Sequence, residues 1–151
     1  MKLVTIFYAV FALQTISMAG EVVPTQLTLD LAKKIAAKSE AYAKSKNWKV
    51  SIAIVNNEGN LLYFQRDPES YSGSIEASIQ KAKSSNAFQR STAAFVDGIK
   101  QGRTGLVTVP GVVAIEGGLQ ILIKGKHVGA IGVSGAKSTE DEEAAKAGLA
   151  D

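Results

Sequence analysis

Residues 50–64 read VSIAIVNNEGNLLYF. Val50, Ile52 and Ile54 alternate with Ser51 and Ala53, the two-residue period of a strand with one buried face. Asn56-Asn57-Glu58-Gly59-Asn60 concentrates turn residues, and Leu61 to Phe64 resumes the apolar run. Two strands joined by so short a turn form a β-hairpin. A hairpin is antiparallel, so the sheet it belongs to is not built by alternating strand and helix.

Helices flank this hairpin. Upstream, Thr28 can cap a helix over about 28–46, in which Leu31, Ile35 and Tyr42 recur near helical spacing and Asp30 sits favourably at the positive end. Lys33, Lys34, Lys38, Lys44 and Lys46 fall mostly on the opposite side and read as its solvated face. Downstream, Asp67-Pro68 ends the hairpin. Ser72 or Ser74 then starts a second helix through Ile75, Ile79 and Ala82, rich in Ala and Ser. Such small residues admit either another backbone or a flat ligand at close range. Ser91-Thr92 caps a short third helix ending at Gly98, and 101–111 is loop. Strands follow at Val112–Glu116, Leu119–Ile123 and Val128–Val133, and Ser138 with Asp141 has the S-x-x-D form of a last helix start. The order α-β-β-α-α-β-β-β-α makes this an α+β chain with a largely antiparallel sheet flanked by helices.

The length of 151 residues suits one domain, and 46% hydrophobic residues suffice for a core. Leu3 to Leu13 is apolar except for Thr5, follows Lys2, and precedes Ser17 and Ala19 at the −3 and −1 positions of a cleavage site. This is the layout of a secretory signal peptide over 1–19, leaving a single domain at 20–151, periplasmic or secreted, with no transmembrane anchor after cleavage. Without Lys2 the excess of basic over acidic residues is 16 to 14, too small and too dispersed for nucleic-acid binding. The absence of cysteine excludes disulfides, thiolate metal sites and cysteine nucleophiles.

No phosphate loop, dinucleotide fingerprint or nucleophile elbow occurs in the chain. His127 is the only histidine, so a multi-histidine metal site is impossible. It reads either as an exposed turn residue or as one axial ligand to haem iron. Tyr63, Tyr42 and Tyr71 are alternative oxygen ligands or packing residues. Asp67, Glu116 and Glu76, with Arg66, Lys81 and Arg90, could belong to a polar site, but no spacing among them is diagnostic.

Val112-Val113-Ala114-Ile115-Glu116-Gly117-Gly118, then Gly129-Ala130-Ile131-Gly132-Val133-Ser134-Gly135-Ala136, then Asp141 and Ala147-Gly148 together resemble the C-terminal half of the GlcG/HbpS-like (haem-degrading, DUF336-type) domains. Leu29–Ala37, Val50–Phe64, Ser74, Lys81-Ala82, Phe88 and Thr92 extend the likeness across about 27–149. The resemblance implies a profilin-like α+β fold, homo-oligomers, and haem or a related tetrapyrrole as ligand. The chain departs from the pattern at Arg66-Asp67-Pro68-Glu69, where only the aspartate is kept. It also has Leu119-Gln120 after the double glycine and no histidine in its first or middle helix. A haem groove near the middle helix and glycine-rich strand would draw on Arg66, Ser74, Lys81, Arg90, Tyr63 and His127, with the cations pairing propionates. Two alternatives remain. One is an enzyme acting on haem or a small organic acid through Asp67, Glu116 and Lys81. The other is an accessory protein that binds a sensor or membrane partner.

Overall fold

Thr28 starts the fold as expected: its hydroxyl accepts the Leu31 N–H at 3.2 Å and caps α1 (Leu29–Ser45). The helix ends where Asn47 turns into the left-handed region at φ 59°, which brings the Trp48 N–H back to the Ala43 carbonyl at 2.9 Å. The structure, a computed structural model, describes residues 26–150. The leader expected at 1–19 lies outside the described residues. The chain continues through β1 (Ser51–Asn56), β2 (Leu61–Arg66), α2 (Gly73–Phe88), α3 (Ala93–Lys100), a 3₁₀ turn (Thr104–Thr108), β3 (Gly118–Ile123), β4 (Lys126–Ser134) and α4 (Ser138–Leu149).

The four strands form one antiparallel sheet in the order β2-β1-β4-β3. Both hairpins are therefore present, joined by pairing their first and last strands at the centre. The α+β class and antiparallel sheet expected from residues 50–64 are the observed ones.

The two faces of the sheet differ in kind. Ile52, Ile54, Ile131 and Val133 pack against Ile35 and Ala36 of α1 and Ala144 and Ala145 of α4. The other face carries Ala53, Val55, Ala130 and Gly132, and α2 lies directly on it through Ala82. A Cβ on Gly132 would stand 2.0 Å from the Ser78 carbonyl oxygen and 2.5 Å from the Ala82 nitrogen. One on Gly118 would meet the Lys81 carbonyl oxygen at 2.4 Å. The small residues of the middle helix thus serve backbone approach. The groove expected between that helix and the glycine-rich strand is closed by this contact.

The strand expected at Val112–Glu116 is absent. Among the described residues this segment pairs with no strand of the sheet. Its Val113 N–H is taken instead by the Ser84 hydroxyl of α2 at 2.9 Å. Gly117, at φ 117°, then turns the chain into β3.

Gly132→Ala should destabilise the fold by about 3 kcal/mol, because α2 must lift off a backbone it touches. Gly105→Ala, where no atom lies within 4 Å of the added methyl, should stay within about 0.5 kcal/mol. Urea denaturation of the two variants tests the difference.

Candidate functional site

Lys81 leaves the inner face of α2 and is 2% exposed. Its ammonium donates to the Val133 carbonyl at 2.9 Å and to Asp141 Oδ2 at 2.8 Å. Asp141, equally buried on the first turn of α4, accepts the Ala136 N–H on Oδ1 at 2.9 Å. Burial raises the Asp141 carboxyl above its ordinary value, and the Lys81 charge and the two hydrogen bonds oppose that rise. Sequence reasoning took Asp141 as a helix-start residue. The helix is in fact entered one position before Ser138, with the Lys137 N–H bonded to Glu140 Oε2 at 3.0 Å, which leaves Asp141 free to face inward. No spacing in the sequence couples positions 81 and 141.

The other residues singled out from the sequence are scattered. Glu116 lies half-buried in the irregular segment before β3; the Ser138 hydroxyl bonded to it holds its carboxyl below the ordinary range, and Lys100 and Lys81 contribute weakly. Asp67 Oδ1 accepts the Glu69 N–H at 2.9 Å and shapes the turn after β2. Arg66 donates to the Ser70 carbonyl of that same turn. Ser74 is wholly buried, with its hydroxyl on the Tyr71 carbonyl at 2.6 Å. Arg90 donates to the Phe88 carbonyl at 3.2 Å and lies 5.9 Å from the Phe95 ring centroid. The Tyr63 hydroxyl donates to Gln65 at 3.1 Å. Among the described residues Lys81 is thus committed to Asp141, and neither hydrogen bond nor ion pair joins Asp67 to Lys81 or Glu116. Glu116 lies within range of the Lys81 charge, but no hydrogen bond or ion pair joins the two among the described residues.

His127 stands on β4, half-buried, with Nε2 enclosed and without a partner among the described residues. It lines a cavity of about 210 Å³ with Asn56, Asn57, Glu58 and Lys126. The walls are polar and the space is small.

The apolar concavity is elsewhere. A groove of about 380 Å³ runs where α1 and α4 overhang the edge strand β3. Leu31, Ile35, Ile121, Ile123 and Leu149 form its floor, and Lys34, Lys38 and Lys124 line it as well. The Lys38 ammonium reaches the Ala150 carbonyl at 2.6 Å. Leu122, 53% exposed, stands beside it. The sequence pattern places Lys34 and Lys38 on the solvated face of the first helix and does not single out Lys124. The signal for Lys34 and Lys38 was their position next to Leu31 and Ile35 at the border of the apolar stripe, whereas Lys124 reaches the groove only because β3 lies under α1.

An antiparallel sheet with helices on both faces, locked by a buried lysine–aspartate pair and bearing open grooves at its edges, defines the α+β class of the domain. The haem-degrading protein HbpS-like family model matches residues 27–150, and the chain belongs to that family. Protein GlcG of Escherichia coli K12 is 33% identical over 108 residues, 72% of this chain and 81% of GlcG. The crystal structure of a Streptomyces reticuli HbpS double mutant superposes with a TM-score of 0.76 at 30% identity, covering 92% of this chain and 96% of that one. That of the PduOC haem complex does so with a TM-score of 0.74 at 21% identity, covering 82% and 93%, and shares the fold.

Lys81→Met should destabilise the protein by about 3–5 kcal/mol, since it strands a buried carboxylate. Adding Asp141→Asn should recover much of that loss, because the carboxamide still accepts from Ala136 and can donate to the freed Val133 carbonyl. A double-mutant cycle by urea denaturation reads the coupling.

Proposed function

We propose that this chain binds haem or a related tetrapyrrole in the groove between α1, α4 and β3. The observation that carries the reading is the groove's make-up: an apolar floor beside three lysines. Haem has a flat apolar ring and two propionates on one edge. The floor can bury the ring, and Lys34, Lys38 and Lys124 can pair the propionates. The family's description as haem-degrading and the haem complex of a protein sharing the fold support the same ligand class.

The fit is to the macrocycle and not to the iron. No histidine, tyrosine, methionine or cysteine lines the groove. His127 has a free nitrogen, but its polar cavity of about 210 Å³ falls below the ~300–1,000 Å³ of pockets that enclose drug-sized ligands. The chain's own residues therefore hold the ring and neutralise its carboxylates, and binding needs no protein ligand to the metal.

A visible-absorbance titration with haemin tests this. A saturable Soret shift is expected, weakened by about tenfold or more in Lys34→Glu/Lys124→Glu and retained in His127→Ala. A shift lost in His127→Ala and unchanged in the lysine variant would move the ligand to the histidine cavity. No saturable shift would remove haem as the ligand.

The groove is open on the side of β3, whose outer edge carries no further strand among the described residues. An exposed edge beside exposed Leu122 favours association with a second copy, which would also close the groove. Light scattering should give a dimer or larger assembly, and Leu122→Lys should shift it towards monomer.

A further inference from the structure

A second concavity, of about 380 Å³, opens at the end of the molecule where the α1–β1, β2–α2 and β4–α4 turns meet. Trp48 and Tyr71 both line it, together with Asn47, Ser70, Glu69 and Glu140. It shares no residue with the groove described above.

Each wall is built by a specific local constraint. Trp48 is set by the left-handed Asn47 at the end of α1 and packs edge-on against the Tyr42 ring at 5.9 Å. Gly135, at φ 144°, lets the β4–α4 turn come down on the α1–β1 turn, where a Cβ would meet the Lys49 carbonyl oxygen at 2.2 Å. The neighbouring Ala136 is held by Asp141. Tyr71 is 56% exposed at the mouth, and Ser70 is 3% exposed at the base.

Ser70 belongs to a buried hydroxyl chain: its Oγ lies 2.8 Å from Ser74 Oγ, which in turn lies 2.7 Å from Ser51 Oγ and 2.6 Å from the Tyr71 carbonyl oxygen. The charged lining residues are paired: Lys49 with Glu69 at 3.1 Å, and Glu140 with Lys137 at 3.6 Å. The lining offers an aromatic surface, carboxylate and hydroxyl acceptors, and amide and ammonium donors, and each of these charges already has a partner.

We infer that this cavity binds a neutral polyhydroxylated ring, a sugar. The C–H face of such a ring packs on Trp48 and Tyr71. Its hydroxyls, each donor and acceptor at once, match the mixed rim of Ser70, Glu69, Glu140 and Asn47.

Trp48 is the only tryptophan of the chain, so its emission reports this site alone. The protein is titrated across the millimolar range with glucose and N-acetylglucosamine, and in parallel with charged glucuronate and glucosamine. A saturable change with a neutral sugar is expected, weakened about tenfold by Tyr71→Ala and also weakened by the isosteric Glu140→Gln. Tyr71 is largely exposed, so the truncation leaves the fold intact. Its haemin titration should match the unmodified protein, which separates failure here from failure of the haem reading. Absence of a saturable change with either neutral sugar, saturation by the charged sugars alone, or unaltered affinity in Tyr71→Ala would each overturn the assignment.

Discussion

One buried ammonium organises the molecule. Lys81 joins α2 to the last residues of β4 and to the first turn of α4, across sequence separations of 52 and 60 residues. Removing two charges from water is costly, and the mutual attraction offsets that only when the remaining polar atoms are also satisfied. Here each charge has a further partner: the ammonium has a carbonyl besides the carboxylate, and the carboxylate has the Ala136 amide besides the ammonium. Gly117 is part of the same constraint, since a Cβ there would lie 3.0 Å from the Lys81 nitrogen. The double glycine, the lysine and the aspartate make one interlocked unit spread over the length of the chain.

That unit explains why the two faces of the sheet have such different characters. On the α2 face the sheet is Ala and Gly, so helix and strands meet backbone to backbone and leave no volume for a ligand. On the α1 and α4 face the buried strand residues are large and branched. Two of the concavities lie at the margins of this thicker layer, one over the edge strand β3 and the other among the turns beside Trp48. Packing density in the centre and ligand space at the periphery are two results of the same distribution of side-chain volume.

Much of the fold was legible in local pattern. The two-residue alternation at 50–54 and the turn cluster at 56–60 carried the first hairpin, and Thr28 carried the start of α1. The Ala- and Ser-rich stretch after residue 73 carried a helix but left its purpose open, because a small residue says only that something comes close. Val112–Glu116 misled: these five residues of strand-like composition lie off the sheet, with the Val113 amide bonded to the Ser84 hydroxyl, because β propensity is only a preference and tertiary context overrides it. The site was much less legible. Residues picked for their chemistry, Asp67, Arg66 and Ser74, turn out to shape one turn and its hydroxyl chain. Of those that line the cavities, Lys34 read as part of a solvated face and Tyr71 as an alternative oxygen ligand or packing residue, and nothing in the sequence singled out Lys124 or Trp48.

The sequence by itself determined the class of fold, the absence of thiol chemistry and the presence of a single histidine, because each follows from composition or from periodicity over a few residues, and it showed the family through the resemblance of its 112–118 and 129–136 motifs. Which charges are buried, which lysines border an apolar floor and which hydroxyls face a cavity were decided only by tertiary structure. These depend on bringing positions such as 81 and 141, or 34 and 124, within a few ångströms, and local propensity holds no information about a distance that only the packed sheet sets.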